Sequence, residues 1–242
     1  MFRNLLVAPA FPMTSHLPIA TCRPAALPAG RGRLGLWLAV VVWLGVIAGG
    51  FGQLLRYEST TDTLDGEPRV VGPLLFPQTP QLERNRSGQT LLMFAHPHCP
   101  CTRASLNELA AILAECPDLQ PARIIFPLPV NAPPAWQTGD IAIEAAALRG
   151  VSVIWDHQEQ LTRLFAARTS GQVLLYDAAG KRLFSGGITA LRGHAGWNAG
   201  RGAIVALHRQ EPNAHGELEI RNCTPVFGCR LLSDSSLPGV TP

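Results

Sequence analysis

The stretch TLLMFAHPHCPCT, residues 90–102, decides how the rest of the chain is read. Its first half, TLLMFA, is a short apolar run and predicts a buried strand by its length. Its second half carries Cys99 and Cys101. After it Leu106, Leu109, Ala110, Ile112 and Leu113 recur at helical spacing until Pro117 stops them. A cysteine between a strand and the start of a helix meets the positive end of the helix dipole and backbone N–H groups without intrahelical partners. Both favour thiolate over thiol, and such sites pull a cysteine pKa from ~8.5 to roughly 3.5–7.5. Cys99 is therefore the expected nucleophile, uncovered and ionised at neutral pH. Cys101, two residues on, is the expected thiol that resolves a mixed disulfide.

Working outward, the segment from about 89 to 210 has the size of one small domain. ARIIFPL (122–128) reads as a second strand and 135–149 as a weaker helix. A third strand follows at 151–155, then a helix over 157–167 with Leu161, Leu164 and Phe165 on one face. Residues 172–176 and 181–185 flank an Asp-x-x-Gly turn at 177–180 and form a hairpin. A glycine-rich loop, 186–202, leads to a last helix ending near Gln210. Strand–helix–strand–helix–strand, then a hairpin and a helix, implies an α/β fold with a parallel core and antiparallel edge strands. Phe94, Phe126, Trp155, Phe165 and Phe184 fall on strands or apolar helix faces and read as core.

The stretch LLMFAHPHCPC resembles the first strand and active-site turn of the thioredoxin-like superfamily, in which the attacking Cys follows five residues after a Phe, as Cys99 follows Phe94. TSGQVLLYDAAGKRLFSGGI (169–188) is similar to that family's hairpin. The resemblance covers about half the chain and implies a three-layer sandwich, a mixed central sheet flanked by helices. It also implies a thiol–disulfide oxidoreductase, and membrane-tethered relatives are common in bacterial envelopes. Three positions depart from the family pattern. The pair is Cys99-Pro100-Cys101 rather than Cys-x-x-Cys, so Thr102 takes the usual second place. Gly171, preceded by Ser170, stands where the family has a cis-proline. His98 replaces the Trp before the first Cys. A Cys-x-Cys disulfide closes a smaller ring, and a strained bond is the more readily reduced. The related peroxiredoxins carry Thr or Ser three residues before their Cys; here that residue is His96.

Other chemistry is open to the same residues. His96, His98, Cys99 and Cys101 set two imidazoles and two thiols within six residues, a donor set that suits Cu(I) or Zn(II). The alternative function is thus a copper-binding chaperone of thioredoxin-like fold; the leading reading needs no cofactor. In a sheet of this kind the loop GGITALRGHAGWNAGRG (186–202) lies near Cys99. Arg192 is expected to lower a thiolate's pKa there, and His194 to act as a base, a metal ligand or neither. In RNCTPVFGCRLL (221–232), Cys223 and Cys229 form either a structural disulfide or a second dithiol exchanging with the first. Cys116 ends a helix as a buried free thiol, and Cys22 has no visible partner. A redox-silent interaction domain is the third class of reading.

Residues 34–55, LGLWLAVVVWLGVIAGGFGQLL, hold 22 residues without a charge. About 20 apolar residues cross a hydrocarbon core of ~30 Å. Arg3, Arg23, Arg31 and Arg33 precede them with no acid; 16 basic and 17 acidic residues follow. Basic flanks stay cytoplasmic, which predicts a single-pass bacterial inner-membrane protein with its C-terminal domain in the periplasm. A cleaved signal peptide has a shorter apolar run, ~7–15 residues. The expected organisation is a cytoplasmic disordered arm (1–33), a transmembrane helix (34–55), a tether with one short strand near 69–71 (56–88), the domain (89–210) and a C-terminal extension (211–242). A net charge of +3 is too even for a nucleic-acid binder. The expected partners are protein thiols or disulfides in the envelope.

Overall fold

The computed structural model of the chain describes residues 31–60, 72–210 and 222–232. The Cys22 arm and the strand expected near 69–71 lie outside them. The chain divides into two compact units, 1–50 and 51–242.

Helix α1, Arg31–Ser59, contains the uncharged run. Within it Leu34–Ser59 is long and apolar enough to cross a membrane. Arg31, Gly32 and Arg33, expected in the arm before the span, lie in this helix.

The α/β unit is built on a five-stranded sheet. Its strands are β1 (Thr90–Phe94), β2 (Ala122–Leu128), β3 (Val151–His157), β4 (Gln172–Tyr176) and β5 (Arg182–Gly187), in spatial order β3-β2-β1-β4-β5. β1, β2 and β3 run parallel, with Leu92 opposite Arg123 and Ile124 opposite Val153. β4 and β5 run antiparallel, with Leu92 opposite Leu174 and Leu174 opposite Ser185. Alternating side chains point to opposite faces. Leu91 and Met93 join a core with α2 (Pro100–Glu115), α3 (Asp140–Ala147) and α5 (Ala199–Arg209); Leu92 and Phe94 join a second core with α4 (Gln160–Leu164). The expected three-layer sandwich, a mixed central sheet flanked by helices, is the observed one. Phe94, Phe126, Phe165 and Phe184 are fully buried, and Trp155 packs partly buried against the first core.

Three expected elements change. The helix expected over 135–149 begins only at Asp140, because prolines 129, 133 and 134 hold the chain in turns until Gly139 caps it. The helix expected over 157–167 shrinks to five residues. Gln158 and Glu159 take left-handed backbone before it, and Ala166 does so after it. The buried Asp156 carboxylate accepts from Leu161 N (2.8 Å), Thr162 N (2.7 Å) and Thr162 Oγ1 (2.7 Å), fixing where it starts.

The third change concerns the two segments read as tether and extension. Residues 72–88 belong to the domain. Phe76 is buried edge-on against Phe165 (5.4 Å) and Tyr176 (5.2 Å), contacts worth ~0.5–1.5 kcal/mol each beyond area. Its N–H donates to Gly180 O (2.7 Å), and Arg182 N donates to Leu74 O (2.8 Å). Residues 222–232 also lie on the domain. Ser185 N donates to Asn222 O (3.0 Å), Cys223 bridges Ser185, and Leu231 is buried in the second core. Apolar residues scattered among prolines conceal this packing, because no period marks a segment that contributes one side chain at a time.

Candidate functional site

Helix α2 begins at Pro100, six residues before Leu106, where the apolar periodicity starts. Proline at the first helical position has its φ preset and lacks only an N–H that would go unused. Cys99 is thereby the N-cap, with extended backbone (φ −88°, ψ 116°) and no capping side chain. Cys101 lies inside the first turn. Thr102 N donates to Cys99 O (2.9 Å), and the first-turn N–H groups lie near enough to the Cys99 sulfur to favour its thiolate.

A third sulfur meets the pair. Cys229 Sγ lies 2.7 Å from Cys99 Sγ. Its backbone pairs antiparallel with the chain entering β4: Ser170 N donates to Cys229 O (2.8 Å), Arg230 bridges Thr169, and Leu231 N donates to Arg168 O (2.8 Å). Cys99 is consequently only 1% exposed, and the expectation of an uncovered sulfur at position 99 is corrected. Residues 228–231 cover it. Cys101 is half-buried. Cys223 stands beside Ser185 instead of meeting Cys99. Cys116 is a buried free thiol at the far end of α2.

The three thiols have different acidities. Burial opposes ionisation of Cys99, but the Cys229 thiol on its sulfur, and then the nearby N–H groups of Cys229, Cys101 and Thr102, hold its pKa below the ordinary thiol value. Burial, and then the neighbouring Cys99 sulfur, push Cys229 up to about 12. The same two causes raise Cys101, against the nearby Arg192 charge. One thiolate, at Cys99, is therefore the favoured ionic state of the group.

The remaining expected residues divide into those that join the cluster and those that do not. Thr102 Oγ1 donates to His96 O (3.0 Å) and is 2.8 Å from Ser170 Oγ. His96 N in turn donates to Ser170 Oγ (2.9 Å). Gly171 N donates to Phe94 O (2.8 Å); with φ +92° and Ser105 Oγ 2.8 Å from any added Cβ, the position requires glycine. Arg192 Nη1 donates to Gly228 O (2.6 Å), so it holds the covering segment and acts on Cys101 and Cys229. The expectation that Arg192 favours the Cys99 thiolate is shifted to those two sulfurs. His194 faces the Glu58 carboxylate (3.8 Å). His98 is exposed and packs edge-on against Trp136 (4.7 Å), with His96 against the same indole (5.1 Å). The groups that favour the Cys99 thiolate are the Cys229 thiol and neighbouring backbone N–H groups. Burial and then the His98 charge lower His96 to about 4.

The loop 186–202 is tied to α2 through Glu108. This buried carboxylate accepts from Gly196 N, from Asn198 Nδ2 (3.3 Å) and from Arg201 (3.4 Å). Asn198 also caps α5 through Arg201 N (2.9 Å). That anchoring carries the Gly193 N–H to Cys101. Among the described residues no three His, Cys, Asp or Glu side chains gather in a metal-holding arrangement. His96 Nδ1 is already engaged, accepting from His98 N (3.1 Å).

The structure gathers Cys99, Cys101, Thr102, Ser170 and Gly171 and adds Trp136, which sequence reasoning did not name. It sets Cys229 alone on Cys99, where the sequence offered it with Cys223 as a dithiol exchanging with the first pair or as a structural disulfide. The signal for the Cys229 contact is Gly228. A Cβ there would lie 2.0 Å from Ser170 O, so only glycine lets the segment pass and bring the next residue to the site.

No protein-family model and no curated protein matches the sequence. Solved structures do. The chain is similar to an uncharacterized conserved protein from Geobacillus kaustophilus at 16% identity and TM-score 0.50, over 74% of this chain and 94% of that one. A hypothetical protein from Sinorhizobium meliloti matches at 16% identity and TM-score 0.46, over 71% and 96%. The pneumococcal exposed lipoprotein thioredoxin from Streptococcus pneumoniae matches at 15% identity and TM-score 0.37, over 52% and 87%. The Geobacillus likeness is one of fold.

Proposed function

We propose that the protein is a membrane-anchored thiol–disulfide oxidoreductase acting outside the cytoplasm. Cys99 is the attacking sulfur, and Cys101 is the neighbouring thiol that chain spacing offers to the mixed disulfide. One observation carries the reading: Cys99 stands at the N-cap of α2 with the Cys229 thiol 2.7 Å from its sulfur, which keeps it ionised at lower pH than its two neighbours. The thiolate is the form that exchanges disulfides. The substrates are protein thiols or disulfides of the envelope. Residues 34–55 anchor the chain in the bacterial inner membrane, with the arginine-bearing arm in the cytoplasm and the α/β unit in the periplasm.

The test uses the full-length chain in detergent with oxidised glutathione as probe. In a Cys101→Ser/Cys229→Ser double variant, Cys99 takes up one glutathione as a stable mixed disulfide, read by mass. A Cys99 that takes up none removes the proposal.

A further inference from the structure

We infer that Cys229 is the resolving thiol of this site: it displaces substrate from Cys99 by closing a Cys99–Cys229 disulfide. The inference rests on the reading that Cys99 exchanges disulfides and names which sulfur completes the exchange.

The placement of Cys229 is built from both sides. Upstream, Asn222 O accepts from Ser185 N (3.0 Å) and Thr224 Oγ1 donates to Gly187 O (2.7 Å), which ties the segment to β5. Gly228 then slips past Ser170 O, with its own carbonyl held by Arg192. Downstream, the Cys229 carbonyl and the Leu231 N–H are paired with Ser170 and Arg168, and Leu231 is buried. The backbone on either side of Cys229 is therefore fixed with the sulfur already on Cys99. A bond between these two sulfurs joins segments that the fold has brought together. A bond from Cys99 to Cys101 has to close a small ring across Pro100, between an extended residue and one in the first helical turn. Small strained rings are the more easily reopened. In the resting site burial and the Cys99 sulfur keep Cys229 protonated, with Arg192 acting against them; once Cys99 is bonded to substrate its negative charge no longer opposes the Cys229 thiolate.

The exchange balances in two steps. Cys99 thiolate attacks one sulfur of a substrate disulfide; the substrate S–S bond breaks, and the first half leaves as a thiolate and takes up a proton. The Cys229 thiol gives its proton to solvent and attacks the Cys99 sulfur. The Cys99–Cys229 bond forms, the mixed disulfide breaks, and the second half leaves as a thiolate. The substrate has gained two electrons and the Cys99/Cys229 pair has lost them. A dithiol reductant returns the pair to its starting state.

The full-length protein in detergent, reduced and then pulsed with oxidised glutathione, tests this by acid quench, alkylation and peptide mapping. In the unsubstituted protein the accumulating cross-link is expected between the peptides of Cys99 and Cys229, which needs no variant to fold. An intramolecular thiol acts at an effective concentration of the order of millimolar, so with probe well below that, Cys229→Ser prolongs the Cys99–glutathione intermediate about tenfold or more beyond Cys101→Ser. A Cys99–Cys101 cross-link in the unsubstituted protein, with Cys101→Ser the variant that traps glutathione, overturns the inference and leaves the exchange reading standing. No glutathione on Cys99 in the double variant overturns both.

Discussion

Cys99, Cys229 and His96 are three titrating side chains whose surroundings act in different directions. The Cys99 thiolate owes its stability to donors, one of which is the Cys229 thiol. Removing that donor in Cys229→Ala is expected to raise the Cys99 pKa. The alkylation rate of Cys99 falls as pH drops through its pKa, so its pH profile moves to higher pH in the variant. An unchanged profile would show that the backbone N–H groups alone set it. His96 moves the other way from an exposed imidazole: it is held to about 4, against ~6.5 when unfolded. The unfolded chain therefore binds the extra proton first. Stability is fully present above pH ~6.5 and declines as pH falls toward about 4. Denaturant midpoints at roughly pH 7 and pH 5 check this, with His96→Phe expected to flatten the difference. At this scale the sequence was informative about Cys99, because a cysteine preceding a Pro-initiated helix has its N–H neighbours set by local geometry. It was silent on how deeply that sulfur is covered, since the covering residue lies 130 positions away.

Two short elements decide how the site is presented. Residues 222–232 close over Cys99 only because Gly228 has no side chain. Gly228→Ala is expected to lift the segment and raise the alkylation rate of Cys99 at fixed pH by about tenfold or more, as local opening costs less. An equal rate would mean that something else covers the sulfur. At the other edge of the sheet, α4 hangs on the buried Asp156 carboxylate, which accepts three hydrogen bonds. Asp156→Ala leaves those donors unpaired and is expected to cost about 2 kcal/mol of unfolding free energy by chemical denaturation. The strands were legible as apolar runs bounded by turns, and β2 and β4 fall where the sequence placed them. The helices over 135–149 and 157–167 were overdrawn. There the turn chemistry of Pro133 and Pro134, and the left-handed Glu159, prevailed over apolar spacing.

Across the whole molecule, a helix long and apolar enough to cross a bilayer precedes an α/β unit, and the proposed disulfide exchange suits an oxidising compartment. A charge at the middle of that helix costs about 3 kcal/mol on insertion scales. Ile47→Arg is thus expected to release a substantial share of the protein from membranes on alkaline extraction, where the unsubstituted chain stays in the pellet. A phosphatase reporter joined after residue 242 is expected to be active only if the C-terminal side is exported.

The sequence by itself determined the secondary elements of the sheet, the uncharged span and the N-cap position of Cys99, because each follows from neighbours within a few residues. The tertiary structure alone decided which sulfur meets Cys99, that Arg192 holds the covering segment, and that residues 72–88 and 222–232 complete the domain. Those contacts join parts of the chain far apart in sequence. They arise where backbone N–H and C=O groups left open at β5 and at the entry to β4 found partners, and no local pattern records such a pairing.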